Sequence, residues 1–224
     1  MKKKKIISAI AGVIIVGISI CTSIYISHHK NITNQDNQKI EQRTTPEEQL
    51  LKYNEEGMKI LKANYTDTDE MKLALNNIGT SFLDFKFTGI NDNEIKLSQF
   101  KGKKVLLTIE QPNCSYCVEN EKFLETALKD KDIIHVSLLE KADKDAVNAY
   151  YKSLGYKEVP QCVGYEKDVN FGAKTGVFST PTSFFIDEDG KVSFVYTDAF
   201  NENTFNDALK LAYSSNKIYN MLQK

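Results

Sequence analysis

Two cysteines separated by two residues, Cys114-Ser115-Tyr116-Cys117, are the positions in this chain best suited to chemistry. The apolar run Val105-Leu106-Leu107-Thr108-Ile109 precedes them and is broken by Gln111-Pro112-Asn113. A helical pattern then runs from Cys114 to Lys129, with Phe123, Leu124 and Leu128 on its apolar face. Cys114 therefore falls at a helix start. Unpaired N–H groups and the positive end of the helix dipole stabilise a thiolate there. The thiolate is the species that attacks disulfides. Cys117, one turn further in, is placed to attack the resulting mixed disulfide and release the product. The physics assigns Cys114 as nucleophile and Cys117 as resolving thiol.

A second element is Thr180-Pro181-Thr182, directly before the apolar stretch Ser183-Phe184-Phe185-Ile186. Proline entering a strand removes a ladder donor, so it belongs at a turn or edge and is a candidate for a cis bond.

The elements that must position these residues alternate in period. Phe82 to Phe87 reads as a strand, Asn91-Asp92-Asn93 as a turn, and Ile95 with Leu97 as a second short strand. Val105 to Ile109 and Ile133 to Leu139 read as doubly covered strands. Asp143 to Leu154 is helical and ended by Gly155, Val159 to Tyr165 extended, and Glu166 to Phe171 a short helical turn. Thr182 to Asp187 and Lys191 to Thr197 form strands joined at Glu188-Asp189-Gly190, a hairpin signal. An amphipathic helix from Glu202 to Leu222 closes the chain. The expected class is α/β, with a mixed central sheet flanked by helices.

Upstream, Lys2 to Lys5 precede an uncharged run from Ile6 to Ser27. About 20 apolar residues span a bilayer as a helix, and a lysine block before the span keeps that end in the cytoplasm. The favoured reading is an N-terminal membrane anchor with the remainder outside. A cleaved signal peptide and lipidation at Cys21, where Ile18-Ser19-Ile20-Cys21 approximates a lipobox, are the competing readings; each of them exports the domain. The expected divisions are an anchor over 1–27, a polar tether over 28–44, a helical lead-in over 45–80, and the α/β domain over 81–224. The lead-in opens on Thr45-Pro46-Glu47-Glu48, a capped helix start with Leu50, Leu51, Tyr53, Met58 and Leu61 following, and holds a second pattern through Met71, Leu73, Leu75 and Ile78. These two helices either pad the domain or carry a partner surface, with padding favoured.

With these pieces in place the chain resembles the thioredoxin superfamily, over roughly 81–213. That family pairs a C-x-x-C at a helix start with a cis-proline loop that faces it and receives the substrate backbone. The closer resemblance is to the membrane-tethered TlpA/ResA-like branch, carried by the lead-in Leu97-Ser98-Gln99-Phe100-Lys101-Gly102-Lys103 and by a helix–strand unit between Cys117 and Pro181, which are 64 residues apart. The resemblance implies a thioredoxin-like fold and a thiol–disulfide oxidoreductase that needs no cofactor. It also implies Thr180, Pro181 and Tyr116 as substrate contacts, exported protein disulfides or thiols as partners, and a membrane electron donor if the protein works as a reductase.

Two departures matter. The chain has no Trp, and Asn113 and Glu110 occupy places where the family carries aromatic residues. Thr108 stands where classical thioredoxins keep a buried Asp six residues before the first cysteine. Glu110, at the strand end, is then either a general base that assists deprotonation of Cys117 or a solvated loop carboxylate.

Other chemistries are set aside. A formal net charge of −1 lacks the basic excess that nucleic-acid binding needs. One close cysteine pair without a second, and His135 inside an apolar strand, do not make a zinc site. A peroxiredoxin motif would need proline at Leu107 and threonine at Gln111. Cys162 reads as a buried inert thiol, with a third redox thiol as the alternative. A disulfide-forming oxidase and a non-catalytic binding module remain the alternative functions. A lysine- and asparagine-rich composition beside this anchor fits a Gram-positive bacterium.

Overall fold

The computed structural model describes residues 55–214 and 218–221. They belong to one compact unit, Gln49–Lys224. The expected anchor over 1–27, the tether over 28–44 and the start of the lead-in helix lie outside the described residues. Among the described residues no helix is long and apolar enough to cross a membrane.

Thirteen longer elements follow in order: α1 (Glu55–Asn64), α2 (Thr68–Asn77), β1 (Lys86–Gly89), β2 (Glu94–Lys96), β3 (Lys104–Glu110), α3 (Ser115–Ala127), β4 (Ile133–Glu140), α4 (Lys144–Ser153), β5 (Val163–Glu166), α5 (Asn170–Thr175), β6 (Thr182–Ile186), β7 (Val192–Thr197) and α6 (Glu202–Tyr213). The strands form one sheet in the order β2-β1-β5-β4-β3-β6-β7. β3, β4 and β5 run parallel, and the outer pairings are antiparallel. Six of the seven residues of β3 are buried, which follows from helices covering both of its faces.

Neighbouring residues on a strand point to opposite faces. Phe184 packs its ring against Phe82 and, edge to face, Phe171, while Phe185 meets Phe194, Phe200 and Tyr213 on the other side. Leu61 of α1 and Leu73 of α2 join this same core, and Tyr65 donates its hydroxyl to Val195 O at 2.9 Å. The lead-in helices therefore cover the sheet. A smaller cluster under α4 gathers Leu139, Val147, Tyr150, Tyr151 and Val163. Gly164 is forced by packing: a Cβ there would stand 2.1 Å from the Phe87 ring.

Several boundaries differ from those expected. Phe82 to Phe85 forms a turn, with Phe85 N–H donating to Phe82 O at 3.0 Å, because both rings fold into the core instead of alternating. The strand begins only at Lys86. Leu97 opens a short 3-10 turn instead of extending β2. Strand β5 starts at Val163, four residues later than expected. Its end, Glu166, pairs with Glu140 and accepts Phe171 N–H at 2.8 Å, so the helical turn expected over 166–171 is displaced to Asn170–Thr175. The closing helix stops at Tyr213, where Ser214 turns extended, and a 3-10 turn follows at Ile218–Met221.

Candidate active site

Cys114 caps the N-terminus of α3 and is disulfide-bonded to Cys117, with 5.2 Å between the Cα atoms. Its Sγ accepts the Cys117 backbone N–H at 3.1 Å. That N–H and the positive field of the helix terminus are both features that favour a thiolate over a thiol. Helix α3 buries positions 117, 120, 121 and 124, the spacing of a single helical stripe. That stripe decides the asymmetry of the pair. Cys117 is fully buried, whereas Cys114 remains part-exposed and open to a partner.

The loop opposite comes from the entry to β6. The Thr180–Pro181 peptide is cis, and Thr180 O lies 3.4 Å from Cys114 Sγ. A thiol at Cys114 would donate to that carbonyl, while a thiolate would be opposed by it. The carbonyl and the helix terminus therefore act on the sulfur in opposite senses. The loop is held by Thr182 Oγ1–H donating to Ser179 O at 2.8 Å and by Asp198 N–H donating to Pro181 O at 3.0 Å. Asp198 adopts a φ of 126°, a region costly for a non-glycine residue, to make that bond. Asn120 ties α3 to the same end of the sheet by accepting Phe200 N–H at 3.0 Å.

The structure thus brings Cys114, Cys117, Thr180 and Pro181 together. Tyr116 stands beside them with 60% of its surface exposed. Glu110 is not a solvated loop carboxylate: it is fully buried at the end of β3, and Ser137 Oγ–H donates to its Oε2 at 3.3 Å. Burial, and secondly the charge of Glu121, push the Glu110 carboxyl well above the usual carboxylate range. Thr108 is buried and bonded to His135 Nε2 at 3.2 Å. Cys162 is a free, half-buried thiol whose pKa burial raises.

Sequence reasoning missed two features. Phe178, two residues before Thr180, is 51% exposed and gives the loop an apolar rim. Its signal was an aromatic residue beside Gly176 and Ser179, outside any periodic segment. Glu121 is the other, a carboxylate buried one turn beyond Cys117. Its signal was a polar period of two in otherwise apolar strands, Thr108 with Glu110 and His135 with Ser137, which share one face through the pairing of β3 with β4.

A part-exposed sulfur at a helix terminus, a buried partner one turn away, and a cis-proline loop across from them define a protein of thiol–disulfide exchange. The chain belongs to the thioredoxin-like domain family, whose sequence model matches residues 92–213, more than half its length. It is 28% identical over 139 residues to the thiol-disulfide oxidoreductase ResA of Bacillus thuringiensis subsp. konkukian, covering 61% of this chain and 76% of that one. A solved structure described as a candidate protein disulfide isomerase of Bacteroides thetaiotaomicron superposes with a TM-score of 0.52 at 24% identity, covering 66% of this chain and 91% of that one. The mycobacterial DsbF structure gives a TM-score of 0.51 at 17% identity, with coverage of 59% and 97%. Both structural likenesses bear on the fold alone. Family and relative together make this chain a thiol-disulfide oxidoreductase of the thioredoxin-like type.

Proposed function

We propose that this oxidoreductase works outside the cytoplasm, held to the membrane by its N-terminal segment, and reduces disulfides in exported proteins. Cys114 attacks the substrate disulfide and one substrate sulfur leaves as a thiolate. Cys117 then attacks Cys114 Sγ, releases the second substrate sulfur and regenerates the internal disulfide. Thr180 and Pro181 receive the substrate backbone, Tyr116 flanks it, and Glu110 serves Cys117 as a general base. The observation that carries these roles is the contrast between a part-exposed Cys114 capping α3 and a fully buried Cys117. The lysine block before an uncharged run supports the location. Electrons spent on substrate are restored by a membrane donor.

The test is the reduction potential of the Cys114–Cys117 pair in the full chain carrying Cys162→Ser, by equilibration with dithiothreitol or glutathione. A value near about −270 mV supports the reductase. A value near about −120 mV assigns it instead to disulfide formation. A pair far below about −300 mV that fails to exchange would make the disulfide structural and overturn the reading.

A further inference from the structure

Two side chains of opposite character border the cis-proline loop. Phe178 gives it an apolar end. On its other side stands Asp198, exposed, one residue past the end of β7. Thr182 pairs with Thr197. The Asp198 N–H, donating to Pro181 O at 3.0 Å, carries that antiparallel ladder one step further and sets Asp198 directly across from Pro181. Thr180 O in turn lies 3.4 Å from Cys114 Sγ. The path from that sulfur to the Asp198 nitrogen, through these two contacts and the backbone between them, is about 13 Å, and the straight line is shorter.

The Asp198 backbone holds a conformation that glycine adopts freely and that is costly for a residue with a side chain. A side chain is present nonetheless. Its Oδ1 accepts the Ala199 N–H at 2.7 Å, a local bond that an asparagine would make equally well. That bond accounts for the oxygen and leaves the charge without a role. Among the described residues no lysine, arginine or histidine stands within ion-pair distance of Asp198. The carboxylate beside it, Glu70 of α2, is engaged by the Thr197 hydroxyl, which donates to its Oε1. Asp198 therefore brings an exposed negative charge without a counter-cation to the edge of the loop that faces the reactive sulfur.

We propose that Asp198 is a specificity-determining residue that selects substrates carrying a lysine or arginine within two residues of the disulfide cysteine. The inference rests on the reading of Thr180 and Pro181 as the seat of the substrate backbone, and adds the chemistry of the segment seated there. An extended segment laid on the loop with its cysteine at Cys114 advances about 3.3 Å per residue. One or two residues along, a long basic side chain brings its charged head to the Asp198 carboxylate. An acidic side chain at the same place meets repulsion. Asp198 takes no part in the bonds made and broken. Its charge raises the encounter of one class of substrate with Cys114 and lowers that of the other.

The experiment uses two synthetic peptides of one sequence, each a dimer through its single cysteine, with that cysteine flanked on both sides by lysine in one and by glutamate in the other. The second-order rate of their reduction by the reduced full chain carrying Cys162→Ser is measured, and each rate is divided by that of dithiothreitol to remove the intrinsic reactivity of the disulfide. The lysine peptide is expected to react about fivefold faster, the upper end of the range for exposed ion pairs. The preference should fall to within twofold in about 1 M salt, where screening acts over about 3 Å. Asp198→Asn keeps the bond to Ala199 and removes the charge, and Asp198→Gly relieves the backbone. Both should bring the preference within twofold while leaving the reaction with dithiothreitol unchanged, and Asp198→Lys should turn the preference toward the glutamate peptide. A preference that Asp198→Asn and Asp198→Gly leave intact, or one that survives the salt, would overturn the inference. A parent that reduces both peptides at equal rates would overturn it alone and leave the reductase standing. A parent that dithiothreitol reduces but that spares both peptides would overturn it together with the proposed function.

Discussion

Glu110→Gln should tilt the dependence of stability on pH. The Glu110 carboxyl is fully buried and its proton is held well above the ordinary glutamate range, chiefly by desolvation. Above the unfolded value of about 4.3, the native state then binds one more proton than the unfolded chain. Stability is therefore fully present below that value and is lost as pH rises toward the raised native value. The slope is about 1.4 kcal/mol per pH unit for one proton, so two units of climb remove about 2.7 kcal/mol. Glu140, whose carboxyl is also raised by burial, adds a loss of the same sign, so the difference between parent and variant is what isolates Glu110. The glutamine amide can keep the Ser137 hydrogen bond but must bury an NH2 in place of a carboxyl oxygen, at about 1–3 kcal/mol where it is left unpaired. The two curves should cross, with the parent more stable in acid and the variant equal or more stable toward neutrality. Urea unfolding of the oxidised full chain at a series of pH values measures this directly. Parallel curves for parent and variant would refute the assignment of a buried, protonated carboxyl.

Cys117→Ser should trap a covalent complex between Cys114 and a protein substrate, resolved as a band that vanishes with reductant, whereas Cys114→Ser should trap none. Phe178→Ala, at a half-exposed site, should change stability by less than about 0.5 kcal/mol, yet raise KM for a protein substrate without altering the reaction with dithiothreitol. Phe184→Ala, in contact with Phe82 and Phe171, should cost about 3–5 kcal/mol by urea titration. Gly164→Ala should cost about 1–3 kcal/mol, because the new methyl group meets Phe87 at 2.1 Å.

Local signals located the elements of the candidate site. The helix start at Cys114, the loop at Thr180-Pro181, the strand ended by Glu110 and the hairpin turn at Gly190 all stand where spacing and turn residues put them. These features are written in adjacent residues: a breaker, a cap, a period. Where rings competed with backbone pairing, the local pattern misled. Phe82 and Phe85 look like alternate strand positions, but both pack inward across a turn against Phe171 from far along the chain. The helical turn placed over 166–171 failed for a similar reason. Glu166 is drawn into β5 by its pairing with Glu140, a partner distant in sequence.

The sequence by itself determined where the candidate sulfur pair sits, because a C-x-x-C at a helix start creates its own field through the helix that follows it. It also determined the order of strands and helices, through hydrophobic period. It did not reveal whether Glu110 meets water or is sealed, nor that the charge of Glu121 bears on it. Those are consequences of β3 pairing with β4, of α3 laying its one buried stripe on their shared face, and of α4 closing over both. A carboxylate's proton affinity is set by what surrounds it, and here those surroundings come from four separate segments that only the tertiary fold brings together.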